Sequence, residues 1–295
     1  MALTDGGIET TLLFHEGFDL PCFASFPLLG DARGRAALRR YFEPFLDTAQ
    51  ERGLPFVLDT ATWRANPDWG AQLGYDEGRL TAANTDAVEF ARELAEGRPD
   101  VTINGVLGPR GDGYVVGERM SGDQAAEYHA WQIGVLSEAG VQRITALTLS
   151  YPEEAVGVVQ AAAAVGVPVV PSFTVETDGR LPDGTPVAEA VERVDRATGG
   201  AADFFMLNCA HPTHIAAGLG DSPPLDRIGG LRVNASALSH SELDEADELD
   251  EGDPVALGRD NAALRNRLPS VRLLGGCCGT DHRHVAEIIA AWDSA

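Results

Sequence analysis

Short apolar runs alternate with helical stretches along almost the whole of this 295-residue chain. The candidate strands lie near Leu3–Asp5, Phe56–Thr60, Val101–Leu107, Ile144–Leu149, Val169–Thr174, Phe204–Cys209, Gly230–Asn234 and Val271–Gly275. The stretches predicted as helices are Arg35–Arg52, Asp76–Glu96, Gln124–Ala139, Pro152–Val165, Pro186–Thr198 and Pro254–Arg267. Eight strands alternating with helices over roughly 250–300 residues is the count of a (β/α)8 barrel. We therefore predict an α/β protein with one TIM-barrel domain spanning residues 1–295; a doubly wound open sheet is the alternative.

In such a barrel the active site lies at the carboxyl ends of the strands. Polar residues and cysteines follow the predicted strands at those places. The signals are Asp5, Asp59, Thr60, the segment Gly108-Pro109-Arg110-Gly111, Thr148, Asn208, Cys209, Asn234, Cys277 and Cys278. This coincidence supports the barrel and indicates which end of it carries the chemistry.

Two adjacent cysteines, Cys277 and Cys278, stand in the glycine-rich segment GGCCGT at residues 275–280. Neighbours on a strand point to opposite faces, so both thiols reach one point only where the backbone turns sharply. Glycine permits such a turn because it tolerates positive φ. Cys209 ends another predicted strand, and three thiolates gathered at strand ends form a zinc site with one position open. We predict Zn²⁺ on Cys209, Cys277 and Cys278, where it activates a substrate thiol; the alternative for the pair is two small buried hydrophobes.

The Asp5-Gly6-Gly7 segment follows the first predicted strand. A carboxylate beside open backbone N–H groups would hold the ammonium and carboxylate of an amino acid, whereas the alternative is a plain turn. We assign substrate binding to residues that offer polar side chains or backbone N–H groups at four strand ends, namely Asp5, Gly6, Gly7, Thr60, Thr148 and Asn208. The remaining cysteine, Cys22, lies in an apolar stretch and is interpreted as structural. Four clustered histidines are left outside the ligand set: His211, His214, His282 and His284.

Composition excludes several classes of protein. The formal net charge of −23 argues against nucleic acid and anionic membrane as partners, because their phosphates would be repelled. The chain has no lysine, which excludes Schiff-base lysine enzymes and a P-loop lysine. No run approaches the ~18 apolar residues of a membrane span, and the first residues do not form a secretion signal. We expect a cytoplasmic protein, in which four cysteines favour thiols or metal ligands over disulfides.

Several of these segments form a recognisable set: Asp5-Gly6-Gly7 with Thr10, Gly108-Pro109-Arg110-Gly111, Ser172-Phe173-Thr174, Asp183-Gly184-Thr185-Pro186, Asn208-Cys209 and Gly275-Gly276-Cys277-Cys278-Gly279-Thr280. Together they resemble the homocysteine S-methyltransferase family, which includes betaine–homocysteine methyltransferase and the first module of cobalamin-dependent methionine synthase. The resemblance covers nearly the whole chain. It implies a (β/α)8 barrel, zinc on the same three cysteines, a thiol as the incoming ligand, and a role in methionine biosynthesis.

Two departures from the family pattern concern the acceptor. The family usually carries a Glu-Thr pair at the end of strand four, where the glutamate helps to hold the substrate amino group, but this chain has Leu147-Thr148. An acidic segment, residues 239–251, follows strand seven; it is read as a solvated loop, with a lid or an electrostatic lure for a cationic donor as the alternative. We hypothesise weakened or altered homocysteine recognition unless another acid, such as Asp59, replaces the missing carboxylate.

The expected activity is transfer of a methyl group to the thiol of homocysteine or a related compound. No Rossmann-type donor site is visible, and no corrinoid or folate domain fits in the remaining length, which favours a small donor such as S-methylmethionine or S-adenosylmethionine. One alternative is a zinc hydrolase, with Asp5 or Asp59 as general base. Another is a non-catalytic thiol- or metal-binding barrel. The sequence does not indicate an oligomeric state.

Overall fold

Eight parallel strands close into a barrel in a computed structural model that describes residues 1–219, 225–246 and 248–295. The strands are β1 (Ala2–Leu3), β2 (Phe56–Asp59), β3 (Val101–Leu107), β4 (Arg143–Leu149), β5 (Val169–Phe173), β6 (Phe205–Ala210), β7 (Ile228–Val233) and β8 (Leu273–Gly276). Each pairs with its neighbours in chain order, and β1 closes the ring against β8 through the register Leu3 to Leu274. The predicted (β/α)8 architecture is confirmed, and the open sheet is excluded.

One main helix follows each strand within the described residues. These helices are α1 (Ala32–Arg52), α2 (Glu77–Ala95), α3 (Gly122–Glu138), α4 (Pro152–Val165), α5 (Val187–Thr198), α6 (Pro212–Gly218), α7 (Pro254–Ala262) and α8 (His282–Ser294). Short helical turns lie in the loops, at Ile8–Thr10, Thr11–His15, Pro21–Phe23, Phe26–Gly30, Pro67–Gln72, Leu225–Arg227 and His240–Asp244. None of the described helices is long and apolar enough to cross a membrane.

The predicted elements are all present, with boundaries that differ by a few residues. Helix α7 ends at Ala262, five residues before the predicted end at Arg267, because the following residues form tighter turns such as Leu264 N–H to Asn261 O. Helix α6 fills part of the glycine- and proline-rich connection where no helix was predicted. Residues 220–224 of that connection lie outside the described residues.

Side-chain capping explains why the helices begin where they do. The Asp31 carboxylate accepts from Gly34 N–H at the start of α1, and Ser121 and Gln124 form a reciprocal capping box at the start of α3. Asp281 caps α8 in the same way with His284. Such caps satisfy N–H groups that have no partner within the helix. The α8 cap stands one residue after the GGCCGT segment, so it also fixes the carboxyl end of that segment.

The barrel interior changes from apolar to polar along the strands. Near the amino ends, Val57, Val170, Met206 and Leu273 from four strands pack with Phe204 in a buried cluster. In three of those strands, the interior position two residues further along is polar. These positions carry the carboxylate of Asp59, the hydroxyl of Ser172 and the amide of Asn208. The apolar plug therefore closes one end of the barrel, and the polar layer supports the end where strand-end loops build a site.

Candidate metal and substrate site

The three predicted ligand cysteines meet at the carboxyl end of the barrel. The Sγ atoms of Cys209, Cys277 and Cys278 all lie within 4.8 Å of one another, and the Cys209 and Cys278 sulfurs are 3.5 Å apart. Zn–S bonds of about 2.3 Å at tetrahedral angles place sulfurs about 3.8 Å apart, so the spacing suits a zinc ion. Three thiolates are a donor set that selects soft or borderline metals. The residues present therefore fit the expected Zn²⁺.

A bulge in β6 directs Cys209 into this cluster. The register between β6 and β7 shifts between Asn208 and Ala210, and Cys209 has φ +55°. A left-handed backbone is unfavourable for a residue with a Cβ, by roughly 1–2 kcal/mol. Thr148 shows the same arrangement in β4, with φ +62° at a register shift between Ala146 and Leu149. Two strand ends are thus strained at the points where they supply side chains to the site.

The glycines around Cys277 and Cys278 serve two structural purposes, of which the sequence analysis predicted only one. A positive φ occurs at Gly279 (+77°) but not at Gly275 or Gly276. The latter two allow close packing instead, because a Cβ on Gly276 would overlap the Thr280 hydroxyl and one on Gly275 would press against Thr4. The expectation that the three glycines permit positive φ is therefore correct for one of them, and the other two are needed for close packing.

The Asp5-Gly6-Gly7 segment packs directly against the cysteine loop. Gly7 N–H donates to Thr280 O (2.9 Å), and a Cβ on Gly7 would lie 2.5 Å from Cys277 O. Gly6 N–H donates to the Tyr41 hydroxyl (3.1 Å). The prediction of open backbone N–H groups for a substrate carboxylate is wrong, because both groups already have partners. Gly6 and Gly7 do line the cavity beside the cysteines, as does Asp5.

A buried ion triad forms part of the lining of that cavity. Arg232 on β7 pairs with Asp5 after β1 and with Asp59 on β2, and its Nε donates to Gly276 O (3.0 Å). Burial raises the pKa of Asp5 to about 7, against the lowering effect of the Arg232 charge. Burial also works to lower the pKa of Arg232, but the two carboxylates outweigh it and raise that pKa above the ordinary value. Sequence reasoning missed Arg232, although a charge inside an otherwise apolar strand was a visible signal.

Tyr114, in the loop after β3, covers the cysteine cluster. Its hydroxyl lies 2.8 Å from Cys209 Sγ and 3.9 Å from Cys278 Sγ, and its ring packs 4.3 Å from the His240 ring. Burial, and then the charges of the cysteines, raise the pKa of Tyr114 well above its usual range. The hydroxyl thus keeps its proton and can donate it in a hydrogen bond to a Cys209 thiolate. No spacing rule in the sequence pointed to this residue.

The remaining predicted substrate residues divide into two groups. Thr60 and Thr148 line the cavity, and Leu147 adds an apolar wall beside them. Asn208 lies behind the cavity, where its Oδ1 accepts from Thr148 N–H (2.9 Å) and Ser172 Oγ (2.6 Å). We interpret Asn208 as the residue that holds the β4 bulge in place.

The residues left outside the ligand set lie apart from the three sulfurs. His211 begins helix α6, and its Nδ1 accepts from Thr213 N–H (3.3 Å), so its exclusion from the ligand set agrees with the geometry. Cys22 lies in the Pro21–Phe23 turn with φ +57° and does not belong to the cysteine cluster.

The acidic segment borders the site. A short helix, His240–Asp244, opens it with a capping box between Ser239 and Glu242. His240 Nε2 lies 3.3 Å from Thr174 Oγ1, which together with the Tyr114 contact fixes this end of the segment to the barrel rim. Asp247 lies outside the described residues. The beginning of the acidic segment is therefore a short helix fixed to the barrel rim. That the segment attracts a cationic donor or closes as a lid stays a prediction.

Aromatic and acidic side chains share the cavity with the cysteines. Its aromatic members are Phe23, Phe42, Trp63 and Tyr114. Its carboxylates are Asp5, Glu9 and Asp59. Cys277 and Cys278 belong to the same lining, as does Arg232, which pairs with two of these carboxylates. The lining therefore combines sulfur ligands, aromatic side chains and carboxylates around one cavity.

Comparisons with known proteins agree with this geometry. A family model described as homocysteine S-methyltransferase matches residues 2–292. The oxidized form of the homocysteine methyltransferase MmuM from Escherichia coli is 22% identical, with 98% of this chain and 95% of that chain covered and a TM-score of 0.76. The metallated form of the same protein is 22% identical over 98% and 96% of the two chains, with a TM-score of 0.74. At this identity the structures show a shared barrel. No curated protein sequence matches this chain.

Proposed function

Because the chain belongs to the homocysteine S-methyltransferase family, we propose that it is a zinc-dependent enzyme that methylates the thiol of homocysteine or a related compound. The observation that carries the proposal is the convergence of Cys209, Cys277 and Cys278 within 4.8 Å, beside a cavity that the latter two line. Formation of methionine from homocysteine, a cytoplasmic location and the single-domain organisation of residues 1–295 belong to the same proposal.

The chain's own residues would prepare the acceptor sulfur. A free thiol titrates near pH 8.5, and Zn²⁺ bound by the three cysteines would keep the acceptor thiol deprotonated at neutral pH. The Tyr114 hydroxyl lies 2.8 Å from Cys209 Sγ, where it would donate a hydrogen bond to the thiolate, and the side chain covers the cluster and limits access of water. The backbone contacts of Gly7 and Thr280 hold the cysteine loop in place before substrate arrives.

The aromatic side chains of the cavity favour a cationic methyl donor. Phe23, Phe42, Trp63 and Tyr114 offer π faces that attract a sulfonium or quaternary ammonium group. The acceptor thiolate would form the new S–C bond to the methyl carbon. The pair of electrons of the broken bond would return to the donor sulfur, which becomes a neutral thioether. S-methylmethionine and S-adenosylmethionine are the small donors that meet this description.

The hydrolase alternative is weakened by the ion triad. Asp5 and Asp59 were the candidate general bases, and both are paired with Arg232. Because their oxygens already accept hydrogen bonds from Arg232, with further ones from Tyr41 and Asn104, both carboxylates are held within the barrel and are poorly placed to take a proton from a water molecule. Three thiolate ligands also leave a bound metal less able to acidify water than neutral ligands would.

A direct assay tests the function. The zinc-loaded protein is incubated with homocysteine and, in turn, S-methylmethionine and S-adenosylmethionine, and the thioether product is quantified by mass spectrometry. The same preparation is offered a panel of esters and amides. We expect methyl transfer with at least one sulfonium donor and no hydrolysis above background. Hydrolysis without methyl transfer would favour the hydrolase, and neither activity would favour a binding protein.

A further inference from the structure

We propose that Glu9 is the carboxylate that recognises the α-ammonium group of the thiol acceptor. This inference rests on the proposed function and makes its acceptor specific. Three carboxylates line the cavity beside the cysteines, those of Asp5, Glu9 and Asp59. The question is which of them remains able to bind a cation that enters with the substrate.

Asp5 and Asp59 already share a cation of the protein. Arg232 forms ion pairs with both, and the side chain of each member is at least nine-tenths buried. Asp5 also accepts from the Tyr41 hydroxyl (3.0 Å), and Asp59 accepts from Asn104 Nδ2 (2.6 Å). Their oxygens are therefore committed to the barrel, and separating either from Arg232 would leave a buried charge without its partner.

Glu9 differs from both in its partners. Its Oε1 accepts from Ser25 Oγ (2.9 Å), and none of the described arginines or histidines forms an ion pair with it. The side chain is partly buried, and it lines the cavity. A carboxylate removed from water without a cation is costly, and a substrate ammonium would supply the missing partner through charge-assisted hydrogen bonds.

The position of Glu9 suits the acceptor because its segment is attached to the cysteine loop. Gly279 N–H donates to Thr10 Oγ1 (3.1 Å), and Gly7 packs on Cys277 O. Glu9 lies between these two attachment points in the chain. The acceptor sulfur is fixed at the cysteines, and a short aliphatic chain separates it from the ammonium group. The carboxylate that meets this ammonium must therefore stand close to the cysteine loop, and the Glu9 carboxyl is near enough to Cys277 for their charges to interact.

The end of strand β4 offers no competing anion. Leu147 and Thr148 present an apolar side chain and a hydroxyl there, and neither carries charge. Burial raises the pKa of Glu9 to about 7, and the Arg64 guanidinium interacts with its charge without forming an ion pair. An ammonium group bound beside it would favour the charged form. The sequence analysis named Asp59 as a possible substitute acid; because Asp59 is paired with Arg232, we assign the role to Glu9.

Calorimetric titration of the zinc-loaded protein tests this assignment. The probes are homocysteine and its des-amino analogue, 4-sulfanylbutanoate. Glu9→Gln should raise the Kd for homocysteine about tenfold or more, the usual effect of losing a charge-assisted hydrogen bond, and should leave the Kd for the analogue within about twofold. Glu9→Asp keeps the charge and should recover part of the loss. Glu16→Gln removes a nearby acid that pairs with Arg40 outside the cavity and should change neither Kd.

Each other outcome overturns the assignment. An unchanged homocysteine Kd in Glu9→Gln would show that other residues hold the amine. Equal weakening for both thiols would mean that Glu9 only shapes the cavity, and circular dichroism of each variant separates this from misfolding. If the wild-type protein binds neither thiol, the proposed function itself fails. If the wild type binds homocysteine and Glu9→Gln binds it equally well, only the assignment of Glu9 fails.

Discussion

At the scale of single residues, the site depends on non-glycine residues held in left-handed backbone. Cys209 and Thr148 both have positive φ at strand ends, and Asn208 connects them through its bonds to Thr148. Such conformations persist only where the surroundings enforce them. The bulges turn both side chains toward the point where Cys277 and Cys278 arrive from β8. A regular strand at either place would send the side chain out of the site.

Cys278→Ala should abolish tight zinc binding, because three protein ligands are the minimum for such a site. We expect the purified wild-type protein to carry one zinc per chain after dialysis and the variant to carry almost none. Inductively coupled plasma mass spectrometry of both proteins measures this. Cys22→Ala is the matched control, since Cys22 stands apart from the cluster, and it should retain the metal. Full zinc occupancy in Cys278→Ala would refute the ligand assignment.

Glu9 should also make stability depend on pH. Burial raises its pKa from 4.5 to about 7, with smaller effects from the Ser25 hydrogen bond and from the facing charges of Cys277 and Asp5. Arg64 and Tyr41 also interact with its charge. Because the folded state binds the Glu9 proton more tightly than the unfolded state does, protonation of Glu9 favours the fold. This stabilisation is complete below about pH 4.5 and is lost as the pH rises through 7.

The difference in unfolding free energy between wild type and Glu9→Gln isolates this effect. In metal-free protein, we expect the unfolding free energy of the wild type minus that of Glu9→Gln to fall by on the order of 1–3 kcal/mol between pH 4.5 and 8. Urea denaturation at each pH measures both values. Other titrating groups are common to both proteins and cancel. If the unfolding free energies of the two proteins change with pH in the same way, the pKa of Glu9 does not differ between the folded and unfolded states.

The residues themselves show what a sequence can predict of such a site. Cys277 and Cys278 were identifiable because adjacent cysteines among glycines have few structural uses. Arg232 and Glu9 were not assigned, because their importance comes from partners on other strands and loops. A charge inside an apolar strand can mark Arg232 as unusual, but its role depends on which opposite charges the fold brings to it, and no local pattern identifies those partners.

At the scale of elements, strand ends and loops interlock by backbone contact. The alternation of apolar runs predicted every strand, since parallel strands buried on both faces read as continuous hydrophobic segments. The bulges in β4 and β6 left no such signal, because one inserted residue does not change the pattern. The packing of the Asp5-Gly6-Gly7 segment on Cys277 was equally unpredictable, since it needs the closure of β1 against β8.

Gly7→Ala should weaken zinc binding more than it weakens the fold. The new Cβ would lie 2.5 Å from Cys277 O and from Thr10 Oγ1, so the cysteine loop must shift. Changes of this kind in the residues that orient metal ligands cost about 10–100-fold in metal affinity. We expect a loss in that range in competition titrations with a zinc chelator dye.

Gly117→Ala is the control for this experiment. A Cβ there meets no atom within 4 Å, and Gly117 does not have positive φ. Its zinc affinity should equal that of the wild type. If Gly7→Ala also binds zinc as tightly as the wild type, the backbone contact does not position Cys277.

At the scale of the whole molecule, the metal site is placed on a barrel that does not need it. The main core consists of buried apolar side chains such as Leu3, Leu274 and Ile288, which are fully enclosed between strands and helices. The cysteines lie at the rim: Cys209 is the next-to-last residue of β6, and Cys277 and Cys278 directly follow β8. Barrel closure brings Asp5 from the start of the chain to Cys277 near its end, so backbone pairing and not the metal joins the two.

Removal of the metal should therefore leave the domain folded at 25 °C. A ligand that binds only the native state stabilises it by mass action, so a chelator should lower the unfolding midpoint without removing the barrel. Far-UV circular dichroism with and without chelator should superimpose, while proteolysis should increase in the loops around Tyr114 and Cys277. Cys278→Ala should behave like the chelated wild type in both measurements. Collapse of the far-UV signal on chelation would instead mean that zinc binding and barrel formation are one reaction, as in small metal-nucleated domains.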